Sequence, residues 1–407
     1  MGLFRIFLII RVFLGVLLSS PLLGQGTTAV EGAEDPARVQ TYLDPAPFVS
    51  VRAAGLGGAM STLADGVHAP YYNPAGIGGI HWGRQRPPKV RQVHFPYVGG
   101  GVNVNTRQLQ QDFQNLGGAE DRGVGNAIVD ANAGKRQYGR SSSLFTFGYG
   151  RTLMMLHNDL QLSAFKSSEE VDSGSVRANY RSSSGGGFGF SVTDKKEMIY
   201  LGMYHSMVSR REFKGDFEYL DVVNVGDRTQ TLKEKSTTQS KQLTNFGMLW
   251  ILAKKGRPAL AVVVRDYDSS YLLGAEGALP ETEEEIALRE QLKIQQDVTV
   301  GFSVSPRIGK RGAFNFLIEA QNLSNREISL EKKYRVAMEL NLGGFGSEAL
   351  FGLRLGASAV GPSAGVGLNF GLVQLEVATQ AVDLGVDNRV VPERRYLAVL
   401  SVNVLDN

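Results

Sequence analysis

From about residue 89 to the C-terminus apolar and polar side chains alternate one by one. Nowhere in this region do the ~18 consecutive apolar residues of a membrane-crossing helix occur. In "AFNFLIEAQ" Phe314, Phe316, Ile318 and Ala320 share one face of an extended chain, and Asn315, Leu317, Glu319 and Gln321 share the other. "YRVAMELNL" sets Tyr334, Val336, Met338, Leu340 and Leu342 against Arg335, Glu339 and Asn341. Such runs recur as ~14 strands, at 89–105, 139–156, 160–171, 176–193, 198–218, 231–253, 259–273, 291–306, 313–323, 331–342, 350–359, 364–371, 373–381 and 394–405. Short connections are expected at 157–159, 193–197, 254–258, 308–312, 343–348 and near Gly371. Most of the connections between them are longer, and the one at 361–363 is again short. Turns on one side and loops on the other are the signature of an outer-membrane barrel. In lipid every backbone N–H and C=O needs a partner within the chain, which a closed ring of strands supplies. The expected fold is therefore all-β, a 14-stranded antiparallel transmembrane β-barrel.

The N-terminus fits a bacterial outer-membrane destination. "MGLFRIFLIIRVFLGVLLSSPLLGQG" carries Arg5 and Arg11, an apolar core from Val12 to Leu18, and small residues Gly24 and Gly26 before a cleavage point at Thr27. Residues 1–26 are read as a secretory signal peptide, the alternative being a single anchoring helix. The chain has no cysteine, which excludes disulfides, lipidation at cysteine, thiolate metal sites and cysteine nucleophiles. A net charge of +3 with interspersed signs excludes a nucleic-acid stripe.

Residues 27–88 lack the alternation. They hold seven prolines between Pro36 and Pro88 and the small-residue run "AAGLGGAMSTLADG". Proline removes donors from a strand ladder and glycine allows close backbone approach. The segment is thus a poor wall strand and a plausible plug. Eight strands already close on their own side chains, so fourteen leave a lumen to fill. The expected division is a signal peptide at 1–26, an N-terminal hatch at 27–88 and a barrel at 89–407.

"AGLGGAMSTLADGVHAPYYNPAGIGGI" resembles the N-terminal hatch of the FadL family, outer-membrane transporters of long-chain fatty acids and other hydrophobic compounds. The shared features are the small-residue stretch leading into Asn73-Pro74-Ala75 and Gly76. The same pattern occurs in the related PorV-type barrels, which serve protein secretion. Residues 352–385 resemble the hairpins that close those barrels. The resemblance implies passive passage of a hydrophobic small-molecule ligand around a hatch anchored by Asn73, Pro74 and Ala75. The alternative is a PorV-type scaffold that docks protein partners through its extracellular loops. Asn73 offers donor and acceptor, and Pro74 holds Asn73 extended. A gating role and a well-packed turn both remain open for this motif.

Other constellations are weaker. Glu319 and Arg335, with Glu339, Arg354 and Glu376, are expected on the lumen side as a polar network or, alternatively, a ligand carboxylate site. "RSSSGGGFGF" lacks the Lys-Ser/Thr of a phosphate loop. The five histidines show no metal spacing. His157, placed in a turn, has no nucleophile partner, and no G-x-S-x-G is present. No enzyme activity, cofactor or nucleic-acid partner is expected; outer-membrane lipid is. Two loops, 106–134 and 279–292, read as carrying short external helices, the first through Leu109, Phe113 and Leu116.

Overall fold

A computed structural model describes residues 42–44, 46, 48–77, 91–106, 134–165, 175–218, 237–268, 296–309, 311–326, 328–346, 349–384 and 390–406. Among these residues the chain forms fourteen strands. They are β1 (Arg91–Asn103), β2 (Arg136–Tyr149), β3 (Thr152–Phe165), β4 (Ser175–Thr193), β5 (Ile199–Glu218), β6 (Thr237–Ile251) and β7 (Ala259–Asp268). The ring continues with β8 (Asp297–Val304), β9 (Gly312–Ala320), β10 (Tyr334–Leu342), β11 (Phe351–Ser358), β12 (Gly361–Asn369), β13 (Val373–Asp383) and β14 (Pro392–Asp406). Each strand pairs with its sequence neighbours and β14 pairs antiparallel with β1, so the sheet is a closed barrel with no edge.

Alternation turns into two faces. Along β3 every second residue is buried, from Leu153 through Met155, His157, Asp159 and Gln161 to Ser163, while Met154, Leu156, Leu160 and Leu162 are exposed. The outward face is an apolar belt that includes Phe147, Phe188, Leu201, Trp250, Phe302 and Leu400. The inward face mixes polar and charged residues with apolar ones such as Leu144, Leu153 and Met155. Both ends of the wall lie at the end of the barrel closed by short turns, the turn end; the longer connections mark the loop end.

Two reversals lie elsewhere than the sequence expectation puts them. The β2–β3 reversal is at Gly150-Arg151, not at 157–159; Gly150 has φ +56°, which glycine adopts without strain. His157, Asn158 and Asp159 lie within β3. The polarity of His157 and Asp159 comes from facing the lumen, which a reading of polar residues as turn residues cannot separate from a reversal. Likewise β11 turns into β12 at residues 359–360, and Gly361–Ser363 already belongs to β12. The signal peptide, the hatch limits at 27 and 88 and the two external helices fall on residues outside the described ones.

The N-terminal segment lies inside the ring. It forms α1 (Val51–Gly55), a 3-10 turn (Gly66–His68), α2 (Ala69–Tyr72) and a second 3-10 turn (Pro74–Gly76). Ser50 caps α1 by accepting from the Ala53 amide at 3.2 Å. α1 packs on β11 to β14, and the second 3-10 turn on β4 to β6. These elements are too short to hold themselves. Their conformation is imposed by the wall.

Candidate functional site

The contact between this segment and the wall has two chemically distinct sides. On β9 to β13 it is ionic. Arg52, wholly buried on α1, donates from Nε and Nη2 to both carboxylate oxygens of Glu339 at 2.8 Å, and from Nη1 to Asp65 at 2.7 Å. Burial by itself lowers the Arg52 pKa, but Glu339 and Asp65 outweigh it and hold the guanidinium charged. Glu339 also accepts from Arg354 Nε at 3.1 Å, Asn315 at 2.9 Å and Asn341 at 3.0 Å. Arg354 reaches on to Glu376 at 2.8 Å. Its side chain crosses β12 at Gly367, where a Cβ would stand 2.8 Å from Nη2. β12 is glycine-rich because α1 and Arg354 both lie against it.

The sequence-expected network therefore divides. Glu339, Arg354 and Glu376 come together around Arg52. Glu319 lies apart, accepting from the amides of Met60 at 3.0 Å and Ser61 at 2.7 Å, and so caps a turn of the inner segment. Arg335 is opposite Glu319 in register, yet it donates to the carbonyls of Lys332 and Tyr334 near the loop end.

Asn73, Pro74, Ala75 and Gly76 sit on β5 and β6. Asn73 Nδ2 donates to the carbonyls of Ser61 at 2.8 Å and Met248 at 3.3 Å, and Oδ1 accepts from the Ala75 amide at 3.0 Å. The seat is made by Gly202 and Gly247, directly opposite each other in the β5–β6 register. A Cβ on Gly202 would strike the Pro74 carbonyl, and one on Gly247 would strike Asn73 Oδ1. Ala75 packs with Tyr200, Leu249, Ile251, Ala259 and Ala261. A Cβ on Gly76 would meet the Ala64 carbonyl, so this position too admits only glycine.

From β13 through β14 to β5 the contact is largely apolar and aromatic. Phe48 stacks on Tyr71 at 5.2 Å and lies 5.8 Å from Tyr97 of β1. Leu144, Leu153, Met155 and Tyr204 complete this cluster from β2, β3 and β5. Its polar contact with β3 is the Tyr71 hydroxyl, 2.9 Å from His157 Nδ1. His157 is thus a lumen residue paired with the inner segment.

Toward the loop end, Tyr42, Asp44 and Ala46 lie in an arginine-rich zone. Arg181 and Arg140 donate to the carbonyls of Asp44 and Ala46 at 3.0 and 2.9 Å, and Arg136 to that of Tyr42. Asp159, Glu212 and Glu393 balance these cations. Arg52, Asp65, Arg140 and Asp159 escaped the sequence reading. The available signal was a lone arginine in the small, apolar run "FVSVRAAGLGGAM", since a buried charge requires a partner.

No family model matches the sequence, and no curated protein matches it. Among solved structures the chain is similar to the Ralstonia pickettii toluene transporter TbuX, with TM-score 0.47, 10% identity, and coverage of 88% of this chain and 98% of that one. It is similar to the Pseudomonas putida toluene transporter TodX, with TM-score 0.47, 10% identity, and coverage of 87% and 97%. A Pseudomonas aeruginosa FadL homologue is similar with TM-score 0.42, 12% identity, and coverage of 88% and 98%.

Proposed function

We propose that this chain is an outer-membrane barrel of the FadL type that passes a hydrophobic small molecule, such as a long-chain fatty acid, around an internal hatch. The observation that carries the reading is the asymmetry of the hatch contact. Charges and glycine seats hold it to β5, β6 and β8 to β12, and arginines of β2 and β4 hold Tyr42, Asp44 and Ala46 at the loop end. An aromatic and aliphatic seam faces β1 to β3. An apolar compound gains by burial along such a seam, and the arginines of β2 lie beyond it, toward the loop end. Separating the hatch from β9 to β13 would break a buried arginine–carboxylate cluster, worth ~3–5 kcal/mol per broken pair. Passage therefore runs past the hatch along Leu144, Leu153 and Met155, beyond the Arg136 and Arg140 ties at the loop end, while the cluster on β9 to β13 stays in place. The outward apolar belt and the strands, all but β8 and β11 at least as long as the ~9–11 residues of a bilayer crossing, support the membrane setting. The test is uptake of radiolabelled oleate by cells lacking the chain and by cells carrying it. Uptake that rises with the wild type and falls when Leu144 and Met155 are changed to Asp supports the reading; uptake indifferent to the chain rejects it.

A second reading rests on a different observation. The described lumen is crowded with paired charges from end to end, from Arg136 and Glu393 to Arg354 and Glu376. A lumen filled in this way suits a PorV-type scaffold whose surface docks proteins. Stoichiometric co-purification of protein partners, with hydrophobic uptake unchanged by deletion, selects it.

A further inference from the structure

The turn end of the barrel is chemically divided. The turns β4–β5, β6–β7 and β8–β9 are consecutive around the ring, and they expose Lys195, Lys196, Lys254, Lys255, Arg307 and Arg311. The β12–β13 turn carries no charge and exposes Phe370 and Leu372.

The acids within the basic arc are occupied. Asp194 accepts from the amides of Lys196 at 3.2 Å, Met198 at 2.6 Å and Ile199 at 2.9 Å, which shapes the turn and holds its carboxyl below the usual range. Glu197 lies 3.6 Å from Arg151. The lysines project beyond this framework. They also adjoin the apolar belt: Ile199 and Leu201 follow Lys196, Trp250 and Leu252 precede Lys254, and Ile308 follows Arg307, all with outward-exposed side chains. Cationic heads beyond an apolar belt are the arrangement in which long basic side chains reach the headgroup layer. The turns are short, so they hold these charges at the membrane surface and not out in the aqueous phase.

We propose that this basic arc binds the anionic headgroups of phospholipids in the leaflet at the turn end. The inference rests on the outer-membrane reading and adds a lipid class and a set of residues to it. An acidic protein would need a surface raised above the headgroups, which the described turns do not provide.

The test uses the full chain in dodecyl maltoside, equilibrated with equal amounts of phosphatidylglycerol and phosphatidylcholine, the retained lipids being counted by native mass spectrometry. The wild type retains phosphatidylglycerol over phosphatidylcholine by about five-fold, an effect that shrinks in high salt. K195Q/K196Q and K254Q/K255Q each lower this ratio about two-fold, and the two pairs combined with R311Q bring it near one, with heat-dependent gel mobility unchanged. Equal retention by the wild type, as an acidic protein partner would give, overturns the proposal, and so does an enrichment that survives all five substitutions. Failure of the wild type to float with vesicles overturns the membrane reading itself; flotation with lipid parity overturns only the basic arc.

Discussion

Truncating Glu339 to alanine is the most direct probe of how the inner segment is held. Glu339 receives five donors: two from Arg52 and one each from Arg354, Asn315 and Asn341. Glu339→Ala leaves these groups buried without their acceptor, although Asp65 still faces Arg52 and Glu376 still faces Arg354. Breaking a buried ion pair from one side costs ~3–5 kcal/mol. The retained partners place this site near the low end, about 3 kcal/mol. Arg52→Met removes the other partner and also destabilises, because Arg354 is then the cation left to Glu339, beside the amides of Asn315 and Asn341. The double variant replaces the pair with apolar or empty volume, so its cost falls short of the sum by about 2 kcal/mol. Urea unfolding of the reconstituted barrel gives these numbers from the midpoint and slope, and hydrogen exchange over residues 51–65 shows whether the segment loosens first. Additive costs, or a Glu339→Ala penalty below ~1 kcal/mol, would refute the claim that this cluster anchors the segment.

Gly247→Val puts a branched side chain where Asn73 Oδ1 sits and should cost about 1–3 kcal/mol while raising bilayer conductance. Gly139→Ala, at a position with open space, should change neither. Burial, and then the Arg52 charge, push the His68 pKa down to about 3, so His68 is neutral in the fold. Below the unfolded value of ~6.5 the unfolded chain takes up a proton that the folded one refuses, so stability falls as pH drops from 6.5 toward 3, by up to ~1.4 kcal/mol per unit. Urea midpoints across that window should fall less steeply in His68→Gln. Tyr71→Phe loses the bond to His157 and should cost about 1 kcal/mol by urea unfolding, without changing seam packing.

The wall was legible because period two is a one-dimensional signal. Ile318 and Glu319 announce their faces without knowledge of their neighbours. What lies across the lumen was not. Glu339 and Arg354 were expected inside, but Arg52 is hundreds of residues away in sequence and follows no period. The Asn73 motif was visible as a string, whereas its seat depends on Gly202 and Gly247 meeting in register, which only strand pairing reveals. His157 and Asp159 misled for the converse reason: in a barrel with a polar interior, polarity marks a lumen-facing residue as readily as a turn.

The pairing of β1 with β14 has a consequence for assembly. It joins residues some three hundred positions apart, the slowest kind of contact to close. The ring it completes encloses the segment whose Arg52 is wholly shielded from solvent. The segment packs on Tyr97 of β1 and on Val399 of β14, on both sides of that seam, so its apolar contacts are complete only when the seam is closed. Arg52 meets Glu339 on β10, a contact that needs no such closure.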